Sequence, residues 1–299
     1  MQGESVRECL TVVIGANGFV GKAVMAALKE AGLPALGLDI LPGNGVQVVD
    51  ILNLDDLCDA VPPGSTIIHL AGPVAGGFTT NFDFAWRLQV QGTSNVLVAA
   101  ARQSCQRLIF ASSYHVYIGT DRDLLVDEAT VIPETGLDGF GASKLLCEQM
   151  TRAFCFHQGI ELVTLRFGSV YGLGNCTNLM SELFAAAENG EKVEIWGNGL
   201  RTNHFVYLDD LARACTLALK AEPALYNLLD PRRYSIREIC EIAEDELGVK
   251  SVFDPTKKER PSFPTIGAER FTAVTSWVAG SLSESFRKVA TQLEFRSVA

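Results

Sequence analysis

The sequence has few features that indicate a metal, a nucleic acid or a disulfide framework. It has four histidines, and its eight cysteines form no C-x-x-C pair and no cluster with histidine at metal-ligand spacing. The 25 Lys and Arg residues are outnumbered by 35 Asp and Glu and form no basic block, which argues against nucleic acid and anionic membranes as partners. The cysteines are therefore predicted to be small buried residues in a reducing compartment: Cys9, Cys58, Cys105, Cys147, Cys155, Cys176, Cys215 and Cys240.

Long apolar runs of the kind that enter membranes are also missing. Residues 1–10 lack the basic start and apolar run of a signal peptide. Residues 60–82 carry no Asp, Glu, Lys or Arg, but they contain three prolines and several glycines, which break a membrane helix. We therefore expect a cytoplasmic protein that does not contact a membrane.

Short apolar runs alternate with helical patterns along the first half of the chain. Helices are predicted at 21–32, 54–61 and 81–103, and strands at 10–16, 34–40, 66–72 and 107–113. Strands that are apolar throughout and separated by helices are typical of a parallel sheet with both faces covered. The first half thus predicts an α/β fold with a doubly wound sheet.

The second half continues this pattern less regularly. Helices are predicted at 140–157, 177–189, 235–248 and 281–292, with a strand at 161–168, and further pieces follow at 191–197 and 204–219. Because these later pieces have no clean boundary, we expect a nucleotide-binding domain over 1–168 and a smaller interleaved lobe over 169–299. The segment at about 204–219 is expected to return to the first domain.

Three glycines follow the first apolar run and begin the first helix. Gly15, Gly18 and Gly21 form G-x-x-G-x-x-G, a spacing that permits a tight turn and a close approach of the backbone to a pyrophosphate. Asp39 ends the second strand, where a carboxylate can hold both ribose hydroxyls of an adenosine and repel a 2′-phosphate. The sequence therefore favours NAD over NADP.

Many short motifs, in order along nearly the whole chain, resemble one family. They are VVDILN (48–53), HLAG (69–72), GTSNVL (92–97), ASSYHVY (111–117), FGASK (140–144), RFGSVYG (166–172), WGNG (196–199), HFVYLDDLARA (204–214) and SLSESFRK (281–288). With the glycine turn, these motifs resemble the extended short-chain dehydrogenase/reductases, and within them the NAD-dependent nucleotide-sugar epimerases and dehydratases. The resemblance implies a Rossmann-type sheet with a smaller C-terminal substrate lobe.

The resemblance also implies roles for individual residues. The implied NAD-binding residues are Gly15, Asn17, Gly18, Phe19, Val20, Gly21, Asp39, Asp50, Ile51, Leu70, Ala71, Gly72, Lys144 and Phe167. The implied substrate-binding residues are Ser113, Ser169, Asn178, Trp196, Arg201 and Arg270. Among the positions that depart from the family pattern are Gln89, Ser169 and Asn203. These departures bear on which nucleotide and sugar are bound.

In this family a Ser or Thr, a Tyr and a Lys move a proton while the nicotinamide moves a hydride. Ser113 and Lys144 match two of these residues, but Phe140 stands where the tyrosine belongs, four residues before the lysine. No Y-x-x-x-K occurs anywhere in the chain. Phe140 is then a replacement in an otherwise ordinary enzyme, or it marks a site whose proton donors lie elsewhere, or it marks a binding protein that has lost its chemistry.

The second of these alternatives has candidate residues directly after Ser113. Tyr114 and His115 stand where the family's dehydratases carry two acids. Histidine titrates near neutral pH and can act as a base, and a tyrosine can donate a proton. Because the two acids are missing, the resemblance favours epimerisation, most of all at carbon 4 of a nucleotide-linked hexose. A dehydratase or an oxidoreductase acting on another alcohol or ketone is the alternative.

The resemblance further implies a homodimer. In the family, the helices that correspond to 81–103 and 140–157 pair with their symmetry mates in a four-helix bundle. The first of them is richer in apolar residues than one face against the sheet requires: Val90, Val96, Leu97, Val98, Ala99 and Ala100.

Overall fold

The computed structural model of the chain describes residues 9–133, 135–175 and 178–298. Residues 1–8, on which part of the signal-peptide prediction rested, and Cys176 lie outside the described residues. The seven described cysteines are all free thiols. Six of them are buried, as predicted, and Cys9 is exposed, so the prediction of burial is wrong for that residue.

Helices and strands alternate along the part of the chain that the structure describes. The α-helices are α1 (Phe19–Glu30), α2 (Leu54–Ala60), α3 (Gly77–Thr80), α4 (Phe82–Arg102), α5 (Gly139–Gln158), α6 (Leu179–Asn189), α7 (Leu208–Leu217), α8 (Ile236–Leu247), α9 (Glu269–Thr275) and α10 (Leu282–Val298). The strands are β1 (Thr11–Ile14), β2 (Ala35–Asp39), β3 (Val46–Val48), β4 (Thr66–His69), β5 (Arg107–Ser113), β6 (Leu125–Val126), β7 (Glu161–Phe167), β8 (Ser169–Tyr171), β9 (Val193–Trp196), β10 (Thr202–Asn203), β11 (Phe205–Tyr207), β12 (Leu225–Leu228), β13 (Tyr234–Ser235), β14 (Ser251–Asp254) and β15 (Thr265–Ile266).

The main sheet of the protein has seven strands, most of them from the first half of the chain. Its strand order is β12-β7-β5-β4-β1-β2-β3, and the pairings from β3 to β5 are all parallel. The residues of β1 and β4 are buried throughout, because helices cover both faces of such a sheet. The predicted doubly wound α/β fold is confirmed.

The order of the strands locates a binding edge. From β1 the chain passes through α1 to β2 and β3 on one side of β1, and β4 then lies on its other side. This reversal is a topological switch point, and ligands of open α/β sheets bind at the carboxyl ends of the strands that flank it. Ile14 and His69 are those ends.

The predicted elements differ from the structure mainly at their ends, but α3, α9 and several short strands, among them β12 of the main sheet, were not predicted. Helix α1 begins at Phe19, two residues before the predicted start, because Gly18 takes an extended conformation as its N-cap. Helix α10 continues to Val298 instead of stopping at 292. The edge strand β3 was not predicted, since its three residues are too few to show a period and stay largely exposed.

The chain folds into two compact units. The first comprises the described residues of Met1–Val116, Glu134–Arg166 and Ala212–Tyr226. Its core is an apolar cluster between the sheet and the covering helices, with Val12, Ile67, Val96 and Leu108 fully buried. The division of the chain at residue 168 into a nucleotide-binding domain and a substrate lobe stays a prediction.

The second unit comprises Tyr117–Pro133, Phe167–Leu211 and the described residues from Asn227 onward. It contains short two-stranded pairs, of which β8 with β11, β9 with β14 and β6 with β15 are parallel. Its core holds an aromatic contact between Phe184 and Phe286, whose ring centroids are 5.2 Å apart. Trp277 holds the segment between α9 and α10 against α7, because its indole N–H donates to the carbonyl oxygen of Asp210 at 2.9 Å.

Among the described residues, no helix has the length and apolarity needed to span a membrane. The same residues contain no group of three or more His, Cys, Asp or Glu side chains that could hold a metal ion.

Candidate active site

The glycine turn between β1 and α1 lies against the end of β4. Gly15 has φ +91°, and a Cβ at this position would come within 2.6 Å of the backbone nitrogen of Ala71. A Cβ at Gly21 would collide with the carbonyl oxygen of Gly15. Both positions therefore require glycine, and the close packing brings the turn to the switch point of the sheet.

The start of α1 is suited to a negatively charged group. Gly18 offers no side-chain cap, and the first turn, which contains Phe19 and Val20, has no acidic residue. The first N–H groups of a helix have no partner within it, and the helix dipole is positive at this end. A Cβ at Gly18 would meet only the Gly15 carbonyl oxygen, at 3.3 Å, so the space above the turn is open to a pyrophosphate.

Asp39 supports the same turn from the end of β2. One oxygen of its carboxylate accepts from the backbone N–H of Asn17 at 2.9 Å, and the other accepts from that of Leu41 at 2.9 Å. The side-chain amide of Asn17 donates to the carbonyl oxygen of Pro42 at 2.6 Å. A half-buried carboxylate fixed beside the turn can accept further hydrogen bonds from ribose hydroxyls.

The other residues implied for the adenosine half lie beside this edge of the sheet. Asp50 accepts from the N–H of Leu52 at 2.9 Å, and the carbonyl oxygen of Ile51 accepts from Asn95 of α4 at 2.8 Å. The N–H groups of Leu70 and Ala71 both donate to the carbonyl oxygen of Ile14, which ties the end of β4, and Gly72 after it, to the glycine turn.

A buried polar cluster that sequence reasoning missed lies behind Gly72. The hydroxyl of Thr93 donates to the carbonyl oxygen of Gln89 at 2.6 Å, so the Nε2 of His69, 3.2 Å from the same hydroxyl, carries the proton and donates. Burial, and then the positive charge of Lys144, lower the pKa of His69 to about 3. His69 is therefore neutral at physiological pH. Its Nδ1 and the Oε1 of Gln89 have no hydrogen-bond partner among the described residues.

Lys144 is the buried cation of the first unit's candidate site. It lies on α5, and its Nζ donates to the carbonyl oxygen of Ala111 on β5 at 2.9 Å. Burial lowers its pKa to about 8, against the raising effect of Cys147 and Glu148. Its Nζ lies 5.5 Å from the ring centroid of Phe110 and 5.7 Å from that of Phe140. A lysine with this pKa gains or loses a proton close to neutral pH.

Phe140 occupies the second residue of α5, one turn before Lys144. The ring is half-buried and makes an edge contact with Phe78, with centroids 5.9 Å apart. Asp138 is the N-cap of this helix and accepts from the N–H of Gly141 at 2.7 Å. The cap fixes the direction in which α5 presents both Phe140 and Lys144.

Ser113, Tyr114 and His115 lie at the end of β5 and the start of a short 3-10 turn (Tyr114–Tyr117). The hydroxyl of Ser113 accepts from the N–H of His115 at 3.2 Å. The His115 ring meets the rings of Tyr114 and Phe140 edge-on, each at 5.2 Å between centroids. Its Nδ1 lies 3.3 Å from a carboxylate oxygen of Asp138.

The structure thus brings the five predicted catalytic residues into one cluster within the first unit, and it adds Asp138. Sequence reasoning missed Asp138 because it stands 23 residues from His115. A helix-capping acid two residues before Phe140 was the available signal, but a cap alone gives no indication of the histidine it faces.

The residues implied for the substrate, apart from Ser113, lie in the second unit. The N–H of Ser169 donates to the carbonyl oxygen of His204 at 3.0 Å. Asn178 caps α6, and its amide donates to the carbonyl oxygen of Val170 at 2.9 Å, directly beside Ser169. Phe167, implied for the cofactor, is buried at the end of β7.

Trp196, Arg201 and Arg270 belong to other parts of this unit. Trp196 ends β9 with 60% of its surface exposed. The N–H of Arg201 donates to Glu259 at 2.7 Å. Arg270 lies on α9, near Glu128. Burial raises the pKa of Glu128, and the hydrogen bond from the Asn227 N–H and the charge of Arg270 offset part of this rise. The substrate roles of these residues stay predictions.

Comparison with known proteins identifies the family. The sequence model of the NAD dependent epimerase/dehydratase family matches residues 11–228. The chain belongs to this family. The predicted resemblance is confirmed, and with it the prediction of an enzyme of NAD-dependent epimerase/dehydratase type.

The relatives found are distant but cover most of the chain. The UDP-glucose 4-epimerase of Azospirillum brasilense is 25% identical over 89% of this chain and 86% of its own length. The UDP-glucuronate 4-epimerase of Thermodesulfobacterium geofontis is 26% identical over 80% of this chain and 81% of its own. The solved structure of MoeE5 in complex with UDP-glucose and NAD is 25% identical with a TM-score of 0.85, covering 97% of this chain and 99% of that one.

NAD is the cofactor of this protein, as predicted. The residues present fit it, because the open space above Gly18, the uncapped start of α1 and the fixed Asp39 carboxylate suit a dinucleotide without a 2′-phosphate.

Proposed function

We propose that the protein is a nucleotide-sugar epimerase that acts at carbon 4 of the hexose, with His115 as the group that moves the proton. One observation carries this proposal: the His115 ring, whose imidazole nitrogens can accept or donate a proton, contacts the ring of Phe140, with centroids 5.2 Å apart, where the family places its tyrosine. The proton-transferring group is then beside the ring that stands in the place of the tyrosine.

When bound, NAD would supply the acceptor for the hydride of the sugar carbon and the donor for its return to the opposite face. The chain's own residues bind the cofactor and orient the sugar. Gly15, Gly18 and Asp39 would hold the cofactor, and Lys144 would hold the ribose next to the nicotinamide. The Ser113 hydroxyl donates to the reacting oxygen of the sugar and so lowers the barrier as charge develops there.

The proton moves between the sugar hydroxyl and His115. The neutral imidazole accepts it as the alcohol becomes a ketone, and the imidazolium returns it to the same oxygen after the sugar has rotated. General acid–base groups of this kind contribute on the order of 10²–10⁴ in rate. Phe140 contributes an apolar wall, which keeps water from the ring without offering a competing proton.

The nucleotide sugar is the supported substrate class for two reasons. The structural neighbour MoeE5 is 25% identical and is described in complex with UDP-glucose and NAD. Both curated relatives are named as 4-epimerases of UDP sugars. Epimerisation, rather than loss of water, is favoured because Tyr114 and His115 replace the two acids of the dehydratases.

A direct assay tests the function. Purified protein with NAD is incubated with UDP-glucose, UDP-galactose and UDP-glucuronate, and the sugars are separated by chromatography. We expect the 4-epimer of one of them to form with no net change in NADH absorbance. A steady increase in NADH would instead identify an oxidoreductase, a product lighter by one water a dehydratase, and binding without any product a binding protein.

We further propose a cytoplasmic homodimer. The apolar residues of α4 that the sequence offered for a dimer are partly used within the unit, since Val96, Leu97, Ala99 and Ala100 are buried there. Other apolar side chains of α4 and α5 are exposed, however: Phe82, Phe84, Leu146 and Phe156. Large apolar side chains exposed on these two helices support a protein partner. Sedimentation at micromolar concentration should show twice 32.3 kDa, and a monomer alone would exclude the dimer.

A further inference from the structure

We propose that Asp138 is a positioning residue, which holds the proton of the His115 imidazole on Nδ1 and so leaves the lone pair on Nε2 for the sugar hydroxyl. This inference rests on the proposed function, since it explains how His115 performs its step. Asp138 lies at the start of α5, outside every sequence motif that identifies the family.

The chemistry of the contact fixes the tautomer. An ionised carboxylate can only accept hydrogen bonds, so the His115 Nδ1 that lies 3.3 Å from Asp138 must carry the hydrogen. In a neutral imidazole the other nitrogen, Nε2, then has the lone pair. Only this tautomer makes Nε2 a proton acceptor.

The Asp138 carboxylate is ionised in the folded protein. Burial alone would raise its pKa, but the hydrogen bond from His115 and the backbone N–H of Gly141 together hold the pKa below its usual value. The two oxygens have separate tasks, because Oδ1 accepts from Gly141 at 2.7 Å and Oδ2 faces His115. The helix cap therefore fixes the carboxylate that orients the histidine.

The rest of the contact set holds the ring in place. The backbone of His115 is fixed by its N–H, which donates to Ser113, and the edges of Tyr114 and Phe140 pack against the ring. Contacts from β5 thus restrain the His115 backbone, and contacts from the 3-10 turn and α5 restrain its imidazole. A base oriented in this way needs little reorganisation when the proton moves.

In the forward step, the proton of the sugar hydroxyl moves to His115. The O–H bond of the sugar hydroxyl breaks, its electron pair forms the second bond of the ketone, and the proton forms an N–H bond at Nε2 of His115. The bound cofactor would supply the acceptor for the hydride that leaves the same carbon. Asp138 keeps its charge throughout and stabilises the imidazolium. The return step reverses each change.

Two substitutions separate positioning from capping. Asp138→Asn keeps an oxygen for the Gly141 N–H, because asparagine caps helices about as well as aspartate, but it turns an amide N–H toward Nδ1 and so imposes the wrong tautomer. Asp138→Ser also caps, yet its hydroxyl is too short to reach the ring and imposes neither tautomer. We expect kcat to fall by about 10²–10⁴ for Asp138→Asn, and by less for Asp138→Ser.

KM for the sugar, the dissociation constant for NAD and the melting temperature should stay close to those of the unchanged protein in both variants. Asp55→Asn, an acid in the first turn of α2 with 92% of its side chain exposed, is the matched control and should leave kcat unchanged. A merely structural role would affect Asn and Ser alike and would appear in the melting temperature.

The outcomes distinguish this inference from the function on which it rests. If Asp138→Asn retains full kcat while His115→Ala is inactive, Asp138 has no positioning role and the proposed function stands. Equal losses in Asp138→Asn and Asp138→Ser, with lower melting temperatures, would also overturn the inference. If the unchanged protein binds NAD but converts no nucleotide sugar, the proposed function fails and the inference fails with it.

Discussion

The backbone carbonyl oxygen of His115 lies 2.7 Å from the point where a Cβ on Gly141 would stand. The start of α5 can therefore approach the 3-10 turn only with glycine at this position. This approach brings the Asp138 cap, the Phe140 ring and the His115 ring together.

Gly141→Ala tests this close approach. Alanine in a helix interior usually stabilises by about 1 kcal/mol relative to glycine, but here its Cβ would push α5 away from His115. We expect a lower melting temperature and a loss of kcat, measured by thermal unfolding and by the epimerase assay. Gly76→Ala is the stability control, since its φ of −61° suits alanine and a Cβ would meet nothing within 4 Å. An unchanged melting temperature for Gly141→Ala would contradict the approach.

Asp39→Ala tests the cofactor preference. The unchanged protein should bind NAD more tightly than NADP, because the Asp39 carboxylate accepts from ribose hydroxyls and repels a 2′-phosphate. Removing the carboxylate should weaken the binding of NAD and narrow the difference between the affinities for NAD and NADP. The N–H groups of Asn17 and Leu41 also lose their acceptor in this variant. Titration calorimetry with both dinucleotides measures the change, and Asp55→Ala provides the control. Equal affinities in the unchanged protein would refute the assignment.

Phe140→Tyr decides between the two candidate proton donors. If His115 moves the proton, adding a hydroxyl beside it should change kcat less than about tenfold, whereas His115→Ala should lower kcat by roughly 10²–10⁴. His157→Ala, an exposed histidine at the far end of α5, should have no effect. If instead Phe140→Tyr raises kcat by 10²–10⁴ with little change in KM, Phe140 marks the missing acid–base group and His115 does not act.

His69→Asn should reduce the loss of stability in acid. The pKa of His69 is about 3 in the folded protein against 6.5 as its ordinary value, so between these values the unfolded chain binds a proton that the folded chain does not. The stabilisation is complete above pH 6.5 and is lost as the pH falls, by about 1.4 kcal/mol per pH unit. Between pH 7 and pH 5, the free energy of unfolding measured with denaturant should therefore fall by about 2 kcal/mol less in His69→Asn than in the unchanged protein.

The control for this prediction is His157→Asn, because that histidine is exposed. It should lose as much stability between pH 7 and pH 5 as the unchanged protein does. Equal drops in all three proteins would show that His69 does not contribute to the pH dependence.

By itself the sequence determined the sheet and the cofactor turn. Both depend on neighbours in the chain: apolar runs form buried strands, and glycines at positions 15, 18 and 21 form the turn that follows β1. For the same reason Ser113, His115, Phe140 and Lys144 could be placed from motifs, since each pair lies within one short segment.

Only the tertiary structure decided which side chain faces His115 and what surrounds Lys144. Asp138 meets His115 across 23 residues of sequence, and the Lys144 amine reaches the Ala111 carbonyl across 33. Such contacts follow from how α5 packs on β5, and the choice of glycine at position 141 permits that packing. Capping acids and buried lysines look alike in many sequences, and their chemistry depends on distances of a few ångströms that a linear pattern does not contain.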